Sequence, residues 1–208
     1  MAPSAVDIDT ATDTGSFDVT FESSVDLEGL TAEAFGLSQP SVIDEVGQQD
    51  DPNDPSSASI KKDVTIDHAS RLTVSTTLAS DDFDLFVVYD ANNDGTFTNG
   101  EIVGSSTTGA SNEFVELVAP PDGDYQIWVQ GWAVTGTPTL ELSIDAVQGN
   151  DLTVSGLPAG PVPAGTPVTI TVAFSKTMTV GQSYFGELLL GPPSAPTALK
   201  VPIKIDRN

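Results

Sequence analysis

The chain has 208 residues, with 30 Asp and Glu against 7 Lys and Arg, one His and no Cys, for a formal net charge of −23. Only 18% of residues are charged and 38% are apolar, so the chain has enough surface to bury for one large or two small cores, unlike an acidic disordered tail. The shortage of bases opposes contact with phosphate backbones and anionic lipid, and the lack of cysteine removes disulfide frameworks, zinc thiolate sites and cysteine nucleophiles.

In chain order, short β-branched and aromatic runs bounded by Gly, Pro, Asn or Asp predict strands over 16–21, 30–35, 63–66, 71–77, 84–89 and 114–117. Further strands are predicted over 124–130, 139–145, 151–154, 168–174, 186–190 and 198–205. Helical periodicity is almost lacking. The stretch 26–35 has some helical character, but Gly29 and Gly36 bracket it and it reads as strand or coil. The apolar runs at 85–89 and 188–190 are too short to span a bilayer, and the opening Met1, Ala2, Pro3 and Ser4 carry neither a basic nor an apolar segment, so no export signal is expected here. Abundant Thr, Ser, Asp and Gly with few Lys suggest a surface adapted to extracellular or salty conditions.

Twelve strands are too many for one small sandwich, so the expected fold is all-β with two β-sandwich domains. Polar breaks at 48–59 (QQDDPNDPSSAS) and 147–151 (VQGND) divide the chain. Neither flank, 1–47 or 150–208, holds enough predicted strands to bury a core alone. Together they are expected to form one discontinuous sandwich, with residues 50–146 inserted into one of its loops. The alternative is two tandem domains behind a disordered N-terminal arm.

The sequence DANNDGTFTNGE, residues 90–101, satisfies a twelve-residue calcium-loop pattern: Asp90, Asn92 and Asp94 at positions 1, 3 and 5, Gly95 at 6 and Glu101 at 12. Alternate residues of a tightly turned loop aim side-chain oxygens inward, the Thr96 carbonyl adds another, and a late Glu closes the shell with both oxygens. The lead-in 85–89 is β-forming and the exit reaches Gly104 at once, so the ion is expected to pin a connection between strands rather than to move helices. The bland alternative is a metal-free polar hairpin turn. Asp81, Asp82 and Asp84 form a second acidic group before the same strand, able to meet Asp122 and Asp124 from a neighbouring hairpin or Asp51 and Asp54 from the polar linker. Such clusters can bind a second calcium, but this one reads as a solvated strand entrance.

No catalytic residue is assigned. His68 sits in a turn without a glycine-flanked serine to pair with, and the many carboxylates single out no acid–base pair. In DYQIWVQGW, residues 124–132, strand alternation puts Tyr125, Ile127 and Val129 on one face and Gln126, Trp128 and Gln130 on the other. The second face offers a platform for a sugar ring or a peptide, unless a loop or the other domain covers it. Trp132 follows Gly131, where a bulge leaves its facing open.

The stretches SDDFDLFVVYDANNDG, PPDGDYQIWVQGW and LELSIDAV are similar to the bacterial pre-peptidase C-terminal domain, a calcium-associated β-sandwich of secreted peptidases. The resemblance covers about the middle half of the chain. The flanks, with GSFDVTFES, GQSYFGELLLG and ALKVPIKID, resemble the fibronectin III-like domain that ends certain large secreted subtilisin-like peptidases, in which the pre-peptidase unit interrupts the terminal domain. The resemblance implies a jelly-roll-like middle domain in a discontinuous immunoglobulin/fibronectin III-like sandwich. It also implies a non-catalytic, calcium-stabilised accessory region, extracellular or at the cell surface, aiding secretion, stability or attachment. The expected partners are the parent peptidase domain or an extracellular polymer or protein, with no nucleic acid or membrane, and the expected state is a monomer. The rival readings are a free-standing adhesion or carbohydrate-binding protein using the Trp128 face and, third, a small hydrolase with carboxylate chemistry.

Overall fold

A computed structural model describes residues 3–208. Among the described residues the regular structure is all-β, with fifteen strands and two single-turn 3-10 segments. Every predicted strand is present. Sequence reading missed β1 (Val6–Thr10), β4 (Ser41–Val46) and β8 (Ile102–Ser106). All three lie at the edge of a sheet, where one ladder and little burial suffice and the apolar signal is correspondingly thin.

Contacts divide the chain into two units, one built from the segments up to Gln39 and from Val147 onward, the other from Pro40–Ala146. In the first unit, β2 (Thr14–Glu22) pairs antiparallel along its whole length with β13 (Pro167–Ser175), with β12 (Leu152–Ser155) on the other side. The second sheet runs β1, β15 (Leu199–Arg207), β14 (Ser183–Gly191), β3 (Thr31–Ser38), with β1 parallel to β15. Alternation builds the sandwich. Val168, Ile170, Val172 and Phe174 of β13 point inward with Val19 and Phe21, and meet Leu188, Leu190, Val201, Ile203 and Ile205 from the other sheet in one core.

The middle unit packs the sheet β5 (Ile60–Ile66), β10 (Gly123–Ala133), β7 (Asp82–Tyr89), β8 against the sheet β4, β11 (Thr139–Gln148), β6 (Ala69–Thr77), β9 (Phe114–Val118). Residues 40–47, expected with the flanks, belong here: β4 pairs with Thr139–Ile144 of β11, from Val46 opposite Thr139 to Ser41 opposite Ile144. Phe83, Leu85 and Val87 of β7, with Tyr125, Ile127 and Val129 of β10, fill the core between the sheets.

The opposite face of β7 and β10 is also covered. Phe86, Val88 and Trp128 pack with Ala58, Phe97 and Ile102, so both faces of this central strand pair are buried. The continuous apolar run FVV in β7 is the sequence correlate of that double burial. The covering segment is tied down at Gly131, whose amide donates to the Asp50 Oδ2 and whose carbonyl accepts from the Asp50 amide, each at 2.9 Å. A Cβ on residue 131 would stand 1.9 Å from the Gln48 carbonyl oxygen, so only glycine lets the two backbones meet.

Gly131→Ala should therefore lift the 48–59 segment off β10 and wet Trp128. In a Trp132→Phe background this is expected as a red shift of tryptophan emission with a lower melting midpoint. Unchanged emission would show that the segment does not depend on this approach.

Candidate metal centre

The loop that leaves β7 is built around Asp90, which is 3% exposed. Its amide donates to the Asp124 carbonyl at 3.0 Å, fixing the loop start to β10. Its carboxylate accepts from the Asp94 amide (3.1 Å) and the Gly95 amide (2.9 Å). Asn92 Oδ1 also accepts from the Asp94 amide at 2.8 Å, and Asp94 Oδ1 accepts from the Thr96 amide at 2.8 Å. These short-range bonds wind the loop tightly. The winding needs a positive φ at Asn93 (56°) and at Gly95 (73°), which Asn and Gly tolerate.

Four of the five predicted ligands thus share one turn, with Asn92, Asp94 and Thr96 exposed and Asp90 beneath them. Glu101 departs from the expectation. Its Oε2 accepts from the Thr98 amide and hydroxyl, both at 3.0 Å, in a capping box that starts the 3-10 turn Asn99–Glu101. The local cap satisfies this oxygen without an ion, whereas Oε1 is buried and unpartnered. Asn99 of the same turn donates to Asp54 at 2.9 Å, tying it to the covering segment. Among the described residues no three His, Cys, Asp or Glu side chains stand close enough to hold a metal together. The donor set is nonetheless all oxygen, which suits a hard cation.

Beside the loop lies a cleft of about 380 Å³ lined by Asp63, Asp90, Asp124 and Gln126. Its carboxylates are engaged: Asp124 accepts from the Thr65 hydroxyl at 2.8 Å and Asp63 from the Gln126 amide at 2.7 Å. The expected ligand face is a correction. Trp128 is fully buried, its indole N–H donates to Gln126 Oε1 at 2.5 Å, and the Lys61 ammonium sits 4.9 Å from its ring centroid. Gln130 is 1% exposed and donates to the Asp51 and Asp54 carbonyls. Alternation assigned Gln126, Trp128 and Gln130 to one face, but a long-range covering segment removes Trp128 and Gln130 from solvent and from any sugar or peptide.

At the other end of β7, Asp82 and Asp84 line a cavity of about 440 Å³ with Thr107, Thr108, Gly109 and Trp132. They do not join the acidic groups expected from the neighbouring hairpin or the polar linker: Asp122 accepts from the His68 amide, Asp124 from the Thr65 hydroxyl, and Asp51 and Asp54 accept within the covering segment. Their carboxylate neighbour is Glu113, a residue that sequence reading did not single out. Glu113 is 1% exposed and accepts from the Ser106 hydroxyl and from the Thr108 amide and hydroxyl. Trp132 lies at the register shift between Gly131 and Ala133 and is half-exposed.

Burial, then the charges of Asp82 and Glu113, pushes the Asp84 carboxyl up to about 6, and burial followed by Glu113 raises Asp82. Because the folded value lies above the unfolded one of about 3.9, ionisation of Asp84 opposes folding. Its favourable contribution is full below about pH 4 and lost as pH rises through about 6. In chelator, wild type is expected to lose more stability across that window than Asp84→Asn. Denaturant melts at several pH values check this, and parallel profiles would contradict it.

No family model matches the chain, and no curated protein matches it. Among solved structures, it has a likeness to the crystal structure of the SPBc2 prophage-derived protein YomS, at 17% identity and a TM-score of 0.29, covering 52% of this chain and 96% of that one. At that score the likeness supports no inference about fold or function.

Proposed function

We propose that this chain is a non-catalytic accessory module, stabilised by calcium in the 90–101 loop, from the C-terminal region of a secreted subtilisin-like peptidase. In this reading the Pro40–Ala146 unit is the pre-peptidase C-terminal-like domain and the other unit the fibronectin III-like one. The module works outside the cell as a monomer, on behalf of the parent peptidase domain or against an extracellular polymer or protein.

The observation that carries the calcium reading is the Asp90 loop. A buried first-position carboxylate already gathers the Asp94 and Gly95 amides, which leaves Asn92, Asp94 and Thr96 on one tight turn. Asp90, Asn92, Asp94 and the Thr96 carbonyl would hold the ion, and Glu101 would join by giving up its cap on Thr98. The ion would neutralise the crowded carboxylates and fix the β7–β8 connection, a structural role that requires no helix movement. The peptidase context is supported by the sequence resemblance of the two halves.

Calcium at about ten times its dissociation constant is expected to add about 1.4 kcal/mol to the stability of the folded chain. Asp90→Ala or Asp94→Ala should remove the part of the melting shift that comes from this loop. Calorimetric titration without heat, with identical melting in chelator and in millimolar calcium, would leave the loop a plain connection.

A further inference from the structure

We propose that the cavity at the start of β7 is a second divalent-cation site, with the Asp82 and Asp84 carboxylates as its charged ligands. Asp82 and Asp84 are two residues apart on one strand, so their side chains leave the same face, while Phe83 between them is buried in the core. Asp84 is only 7% exposed, and no donor among the described residues reaches its carboxylate. Asp82 Oδ1 is buried and likewise unpartnered.

Buried carboxylates of this kind are held by a paired base, a metal or a proton. The chain's own bases are committed elsewhere. Lys62, Arg71, Lys176, Lys200, Lys204 and Arg207 pair with Glu45, Asp145, Asp151, Glu187, Asp206 and Asp13, and Lys61 lies over Trp128 and donates to the Ser56 carbonyl. Those seven are all the Lys and Arg there are. Among the described residues no lysine or arginine therefore compensates the pair.

The two carboxylates leave one face of one strand and line one cavity, so a single ion bonding at about 2.3–2.6 Å has both within its shell. The donors are oxygens only, which selects calcium or a similarly hard ion over softer metals. Glu113 adds negative field without ligating, since Ser106 and Thr108 occupy its oxygens. Two carboxylates, with water and the oxygens of Thr107 and Thr108 completing the shell, place the affinity in the weak class of extracellular modules, about 10⁻⁴–10⁻³ M. This site stands independently of the 90–101 loop.

The test uses terbium as the calcium surrogate, because Trp132 lines the cavity and can sensitise its emission. The full chain is compared with Asp84→Asn, Asp82→Asn and Asp94→Ala, with calcium as the displacing ion. Tryptophan-sensitised emission is expected to survive in Asp94→Ala and to need about tenfold or more terbium in the two Asn variants. In chelator the Asn variants should melt no lower than wild type, so their loss is not unfolding. In Asp94→Ala, millimolar calcium should still raise the melting midpoint, whatever the fate of the loop reading. Wild-type emission in both Asn variants would overturn the proposal. So would an Asp94→Ala midpoint that responds to pH but not to calcium, which would make the two carboxylates a proton site only.

Discussion

The antiparallel pairing of β7 with β10, buried on both faces, is the constraint from which the middle unit is organised. Its register sets Phe86 opposite Trp128 and Asp84 opposite Gln130, so one face of the pair feeds the inter-sheet core while the other builds the Trp128 layer. Fully burying such large side chains stabilises by about 1.5–3 kcal/mol each, so the pair is held far more firmly than either edge strand. Both acidic sites are extensions of this strand. Asp90 follows its last residue and Asp82 opens it, so each carboxylate group is positioned by a rigid element rather than by a free loop.

The covering segment ties that layer to the loop chemistry. Residues 48–59 carry no predicted strand and read as a linker, yet they dock through Asp50 on Gly131, through the Asp51 and Asp54 carbonyls on Gln130, and through Asp54 on Asn99. Phe97 from the 90–101 loop packs into the same small cluster as Trp128. An ion in that loop would therefore reinforce packing as well as local turns. The same docking explains why a tryptophan flanked by glutamines on a nominally polar face is closed to solvent: the chain itself covers it.

Charge is distributed with similar economy. Thirty carboxylates share seven bases, and every base is used, most of them in ion pairs that are partly exposed and individually worth little. Most remaining carboxylates are solvated or take backbone amides, as Asp90, Asp94 and Asp122 do. Asp82 and Asp84 differ: among the described residues no lysine or arginine pairs with them, and they line one cavity with Thr107 and Thr108.

The sequence by itself determined the all-β class, twelve strands and the turn chemistry of residues 90–96, because period-two alternation and Asn/Gly positions at a tight turn are local properties of the chain. It left edge strands β1, β4 and β8 unseen, since a single ladder demands little apolar patterning. It assigned residues 40–47 to the wrong unit because pairing partners a hundred residues apart leave no local trace. Only the tertiary structure decided that Trp128 is covered, that Glu101 caps its own turn, and that Glu113 stands beside Asp82 and Asp84. The Glu101 cap is a local Thr98–Glu101 box that competes with the calcium-loop role of the same residue. The cover over Trp128, by contrast, depends on which distant backbone comes to lie on it, since alternation fixes the face of a strand without fixing what packs there.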